Sequence, residues 1–177
     1  MPGKPVISAR RLTTAALLVA LDVIFTRFFS YMVPGSFDRL SLQFLAHGIE
    51  GLLLGPIGAG IAAIAGDLVG MLINSGGLSL YLPLTFSAML RGVLYGLFLY
   101  KKPVTFPRTL LACAVVTLVV DLGLNPFFMS SIYGQAYGVI LLAKIPVRMI
   151  WAPASAVLLF FVSKALTKAV PAFRDGL

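Results

Sequence analysis

Long, unbroken apolar runs decide what this chain can fold into. The stretches "ALLVALDVIF", "GLLLGPIGAGIAAIAGDLVGMLI", "GVLYGLFLY", "LLACAVVTLVVDLGL" and "SAVLLFFVSKAL" lack the apolar–polar alternation of barrel strands. In hydrocarbon every backbone polar group must be satisfied within the protein, which leaves helices. Mean hydropathy is +0.99. Only 11% of the 177 residues are charged, less than half of the ~25% usual in soluble domains. The chain therefore reads as an all-α integral membrane protein in one domain, residues 1–177.

Helical spans are expected at about 11–30, 42–54, 57–73, 84–100, 109–124 and 142–166. Nine of the 14 Lys and Arg fall in three clusters, Lys4/Arg10/Arg11, Lys101/Lys102/Arg108 and Lys164/Lys168/Arg174. The positive-inside rule places all three in the cytoplasm. Six spans achieve this and five do not, so "LLLGPIGAG" reads as a tight hairpin centred on Gly55-Pro56. The result is a six-helix bundle with both termini cytoplasmic. The outward connections, about 31–41, 74–83 and 125–141, are rich in Gly, Ser, Pro, Asn and Tyr and read as loops closing over something.

The net charge of +8 sets topology and meets anionic lipid rather than nucleic acid. One cysteine, Cys113, excludes an intramolecular disulfide and a multi-cysteine metal site. No catalytic triad, Walker loop or zincin motif occurs, so neither an enzyme nor a self-contained ATPase is expected. His47, without ligand-spaced neighbours, reads as structural, and no metal site is expected.

Charged residues inside spans carry the functional signal. Asp22, Glu50, Asp67, Arg91 and Asp121 fall in apolar runs, and Lys144 and Arg148 near the start of the last one. A central charge costs about 2.5–3.5 kcal/mol on insertion scales and so needs a partner, a wet cavity or a ligand. Glu50 and Arg91 suit an internal pair. Asp67 and Asp121, in the outer halves of their spans, suit a site. Arg27 and Arg39 bracket the first outer connection and either reach headgroups or hold a carboxylate. Aromatics at that level, Phe28, Phe44 and Tyr81 among them, form an interfacial belt or stack on a flat heterocycle. Gly76 and Gly77 are candidate hinges. Small pairs Gly51/Gly55, Ala59/Ala63, Gly66/Gly70 and Gly92/Gly96 suit helix packing. Ala16 and Ala20 leave a smooth face on the first helix for a helix of another protein.

The segments "TRFFS", "DRLSLQFL", "LLLGPIGAGIAAIAGDLVG", "LPLTFSAMLRGVLYGLFLYKK" and "LNPFFMSSIYGQAY" resemble the substrate-binding S components of energy-coupling factor (ECF) vitamin transporters, and within them the folate-specific branch. The resemblance implies a high-affinity binding subunit of an ABC-type importer in the bacterial plasma membrane. It implies docking through Ala16 and Ala20 on a T component that works with two ATPases, which hydrolyse the ATP, and no cofactor of its own. For folate, Asp67, Asn125 or Asp121 would meet the pterin edge and Arg27 or Arg39 the glutamate, with Arg148 nearby. Another vitamin (riboflavin, pantothenate or pyridoxine) and a self-sufficient proton-coupled transporter are the alternative readings.

Overall fold

The computed structural model describes residues 9–73 and 81–169. The candidate hinges Gly76 and Gly77, and the charges Lys4 and Arg174, lie outside the described residues. Helix α1 (Ala9–Arg27) leads into a hairpin of β1 (Ser30–Val33) and β2 (Asp38–Ser41). Helix α2 (Gln43–Ile73) and α3 (Leu82–Leu99) follow. Helix α4 (Phe106–Val116), a π-helical segment (Thr117–Leu124) and α5 (Asn125–Tyr133) run on without a break, and α6 (Tyr137–Ala169) completes the fold. Among the described residues, four helical stretches are long and apolar enough to cross a bilayer: Gln43–Ile73, Leu82–Leu99, Phe106–Tyr133 and Tyr137–Ala169. Helix α1 carries Arg10, Arg11, Asp22 and Arg27 within its 19 residues.

The chain reverses inside α2. Gly55 adopts φ 77°, ψ −179°, a conformation open to glycine and costly for other residues, and Pro56 opens the second arm with φ preset for helix. Contacts across the bundle define the reversal. Gln43 bonds to Arg91, Gly51 abuts Tyr95 and Gly96, Gly96 abuts Pro56, Gly92 abuts Ala59, and Asp67 bonds to Thr85. Along α2 the partner on α3 first rises from 91 to 96, then falls back to 85. The two arms of α2 therefore run antiparallel, with α3 packed against both. The approach depends on missing side chains: a Cβ on Gly92 would lie 2.5 Å from the carbonyl oxygen of Ala59, and one on Gly96 2.5 Å from Pro56 Cα. This is how helices associate where no hydrophobic drive operates between them. Leu52, Leu53, Tyr95, Leu99, Cys113, Val116 and Leu159 fill the centre.

Two connections read as loops are ordered differently. The first is an antiparallel hairpin with Ser30 opposite Ser41 and Val33 opposite Asp38. Gly35 (φ 74°) and Phe37 (φ 51°) make its turn, and the Ser36 hydroxyl accepts from the Asp38 amide at 3.2 Å. The second, 125–141, is mostly helix. Pro126 follows directly on the π-helical segment, with Leu124 and Asn125 both helical, so Asn-Pro here lies within a continuous helical stretch rather than in a loop. Gly134, left-handed at φ 64°, stops α5, and α6 begins at Tyr137.

A charged cavity beneath the hairpin

Residues from every layer converge under the hairpin. A cavity of about 140 Å³ is walled by Arg27 of α1, Asp38 and Arg39 of β2, Asp67 of α2, Arg91 of α3, Asn125 of α5, and Lys144 and Arg148 of α6. It shares Arg39, Gln43, Arg91 and Arg148 with a smaller lobe of about 50 Å³, lined by Phe44, Tyr95, Asp121 and Trp151.

An ion-pair chain ties these walls together. The Arg148 guanidinium grips Asp38 with two bonds, Nε to Oδ2 at 2.6 Å and Nη2 to Oδ1 at 2.7 Å, and donates its Nη1 to Asp121 Oδ2 at 2.9 Å. Lys144 Nζ stands 3.4 Å from Asp38 Oδ1. Lys144 and Arg148 meet one carboxylate because four residues return a helix to the same face. On the far side of Asp121, Arg91 Nη2 donates to Oδ1 at 2.8 Å and Nη1 to Gln43 Oε1 at 3.1 Å. The Asn125 amide N–H reaches the same Asp121 oxygen at 3.4 Å. Asp121 lies within the π-helical segment, and such segments concentrate at functional sites. A second pairing flanks the cavity: Thr85 donates to Asp67 Oδ2 at 2.7 Å, with Arg27 Nη2 3.8 Å from Oδ1.

Burial alone would raise the Asp38 carboxyl, but hydrogen bonds and charge from Arg148, with Lys144 beside it, outweigh burial and hold it below its usual value.

Five cationic side chains (Arg27, Arg39, Arg91, Lys144, Arg148) face three carboxylates (Asp38, Asp67, Asp121), an excess of two positive charges. Arg39 bonds to the Ser30 hydroxyl at 2.9 Å and has no acidic partner among the described residues. Two buried polar atoms in the wall, Arg27 Nε and Asn125 Oδ1, have no hydrogen-bond partner. Unpaired buried polar atoms are rare in native proteins and mark places where a ligand or water belongs.

The structure thus gathers Arg27, Arg39, Phe44, Asp67, Asp121, Asn125 and Arg148 around one cleft. It does not bring in Phe28, which is 71% exposed, or Tyr81, half-buried ahead of α3. The expected Glu50–Arg91 pair does not form: Arg91 is taken by Asp121 and Gln43, and Glu50 lies with His47 and Asp22. Sequence reasoning missed Asp38 and Gln43 as wall residues and Thr85 as the partner of Asp67, and it named Lys144 among the buried charges without placing it at the site. The i, i+4 spacing of Lys144 and Arg148 was the available signal for the last. Ala16 and Ala20 are both exposed, and Ala16 lines an apolar groove of about 920 Å³ between α1 and the Gly55 turn.

The architecture is that of a multi-pass helical membrane protein with an internal polar cavity. Across residues 6–168 the chain matches, and belongs to, the family described as ECF-type riboflavin transporter, S component. Among curated relatives, the folate transporter FolT of Clostridium novyi (strain NT) is 32% identical over 146 residues, covering 82% of this chain and 83% of that one. FolT of Streptococcus mutans serotype c is 27% identical over 139 residues, 75% and 74% of the two chains. The crystal structure of FolT bound with folic acid superposes with a TM-score of 0.78 at 30% identity, covering 86% of this chain and 90% of that one.

Proposed function

We propose that this protein is the folate-binding S component of an ECF-type importer in the bacterial plasma membrane. The observation that carries the substrate choice is the cavity's excess of two positive charges. Folate ends in a glutamate with two carboxylates, whereas riboflavin, the vitamin in the family description, carries no charge at neutral pH. Burying two unmatched cations is unfavourable unless anions arrive with the ligand. The names of the FolT relatives and the folic acid in the superposed structure support the same reading.

In this assignment Arg39, with Arg27 and Lys144 nearby, receives the glutamate by charge-assisted bonds. The free Asn125 Oδ1 accepts from the pterin edge, and Phe44, Tyr95 and Trp151 line the lobe for the flat rings. Six spans follow if α1, the two arms of α2, α3, the 106–133 stretch and α6 each cross. That count returns both termini and the Lys101/Lys102/Arg108 cluster to the cytoplasm. The groove bearing Ala16 then opens toward the cytoplasmic side, ready for the T component, while two partner ATPases supply the energy.

Mass spectrometry of the small molecule extracted from the purified protein tests the substrate. A folate is expected. Riboflavin in stoichiometric amount would favour the family description over the charge argument.

A further inference from the structure

A second group of polar side chains lies apart from the cavity, in the contact between α1 and the first arm of α2. Asp22, His47 and Glu50 are each 0% exposed. His47 Nε2 stands 3.4 Å from Asp22 Oδ2, and Asp22 Oδ1 accepts from Thr26 at 3.2 Å. Gly66, on the second arm of α2, packs directly against the Asp22 carboxylate. Both oxygens of Glu50, both ring nitrogens of His47 and Asp22 Oδ2 are without a hydrogen-bond partner. No group of three His, Cys, Asp or Glu among the described residues has the arrangement to hold a metal ion.

Charge balance limits what this group can be. Two carboxylates face a single imidazole, with Arg27 acting on Asp22 from the same helix and Arg91 on His47 from α3. Both arginines face other carboxylates, Arg27 that of Asp67 and Arg91 that of Asp121. An ionised carboxylate in a bilayer interior without a donor or a cation is not tolerated. His47 can balance Asp22, which also has the Thr26 hydroxyl; among the described residues no cation is left to pair with Glu50.

We propose that Asp22, His47 and Glu50 form a proton-binding site within the membrane, holding two protons among three groups. An imidazolium faces the Asp22 carboxylate, and Glu50 is a neutral carboxylic acid. The site joins α1, which carries Ala16 and Ala20, to the helix leading down from the hairpin. Separating α1 from α2 would hydrate it and let the Glu50 proton go. Its ligand is a proton, and the assignment holds whichever vitamin occupies the cavity above.

Infrared difference spectroscopy on the whole purified protein tests this. At neutral pH the wild type should show the C=O stretch of a buried carboxylic acid, shifted by exchange into D₂O. Glu50→Gln should remove that band while leaving vitamin binding intact, because glutamine is close in shape to the neutral acid. Absence of the band in the wild type would overturn the proposal. So would its persistence in the Gln variant, which would place the acid elsewhere. Should the Gln variant fail to fold, the wild-type spectrum alone still decides whether a buried acid exists. Labelling with 5-¹³C-glutamate then decides the assignment, because the chain has one glutamate, Glu50: a downshift of the band is expected, and an unshifted band would place the acid on an aspartate.

Discussion

Arg39 and Asp38 are neighbours in sequence with opposite tasks. Asp38 is consumed by Arg148 and Lys144, whereas Arg39 keeps its charge uncompensated beside the cavity. If Arg39 holds a ligand carboxylate, Arg39→Ala should weaken folate binding by about 1.5–3 kcal/mol, the worth of a hydrogen bond to a charged group. Pteroate, which lacks the glutamate, should lose far less, as isothermal titration would measure. Equal losses would mean that Arg39 only braces the hairpin through Ser30. The Asp38 pair makes a prediction in pH. Its carboxyl is held below the usual value, so its stabilisation is complete above the unfolded-state pKa, about 3.9. It is lost as pH falls through the lower folded-state value. Trp151, the only tryptophan, lies beside Ser30, Tyr31 and Leu40 of the hairpin and reports its position. Its emission should hold steady from pH 8 to about pH 4.5 and change only below the usual carboxylate range. A transition near pH 6 would mean that another group anchors the hairpin. These pairings were hard to read in advance. Asp38 and Arg148 lie 110 positions apart, and no local pattern links them.

The helices were legible where apolar period and charge agreed. The Gly55-Pro56 reversal followed from the need to keep three basic clusters on one side, and the backbone turns there. The hairpin and α5 were not legible for a shared reason. Short elements at a membrane surface carry polar and aromatic residues whether they are loops, strands or helix starts, so composition cannot separate them. An isolated two-stranded hairpin is marginal in water. Here its stability comes from tertiary ties, Asp38 to α6 and the Phe37 ring 5.4 Å from that of Tyr133. The α2–α3 contact gives an element-scale prediction. Gly96→Leu should abolish the monodisperse folded protein on size-exclusion chromatography, because Pro56 occupies the space its Cβ needs. Gly138→Ala, with nothing within 4 Å of the added carbon, should leave the profile unchanged. Tolerance at Gly96 would contradict the close approach of these helices.

As a whole, the molecule places two surfaces at opposite ends of α1. Arg27 lines the charged cavity, and Ala16 lies in the apolar groove near the Gly55 turn. Binding and docking should therefore separate by mutation. Replacing Ala16 and Ala20 by Trp should leave folate binding to the isolated protein unchanged and abolish uptake by cells that supply the ECF module. Retained uptake would remove docking from this face. The membrane class and the S-component family were readable from apolar runs and motif segments. The same motif segments pointed to the folate-specific branch, in line with the FolT relatives; what no motif carries is how charges from six segments of the chain sum in one cavity. That sum is the centre of the account. Calorimetric titration of the purified, ligand-depleted protein with folate and with riboflavin, side by side, tests it most directly. The account predicts tight, saturable binding of folate at one site and no measurable heat from riboflavin. Riboflavin binding with folate silent would contradict it.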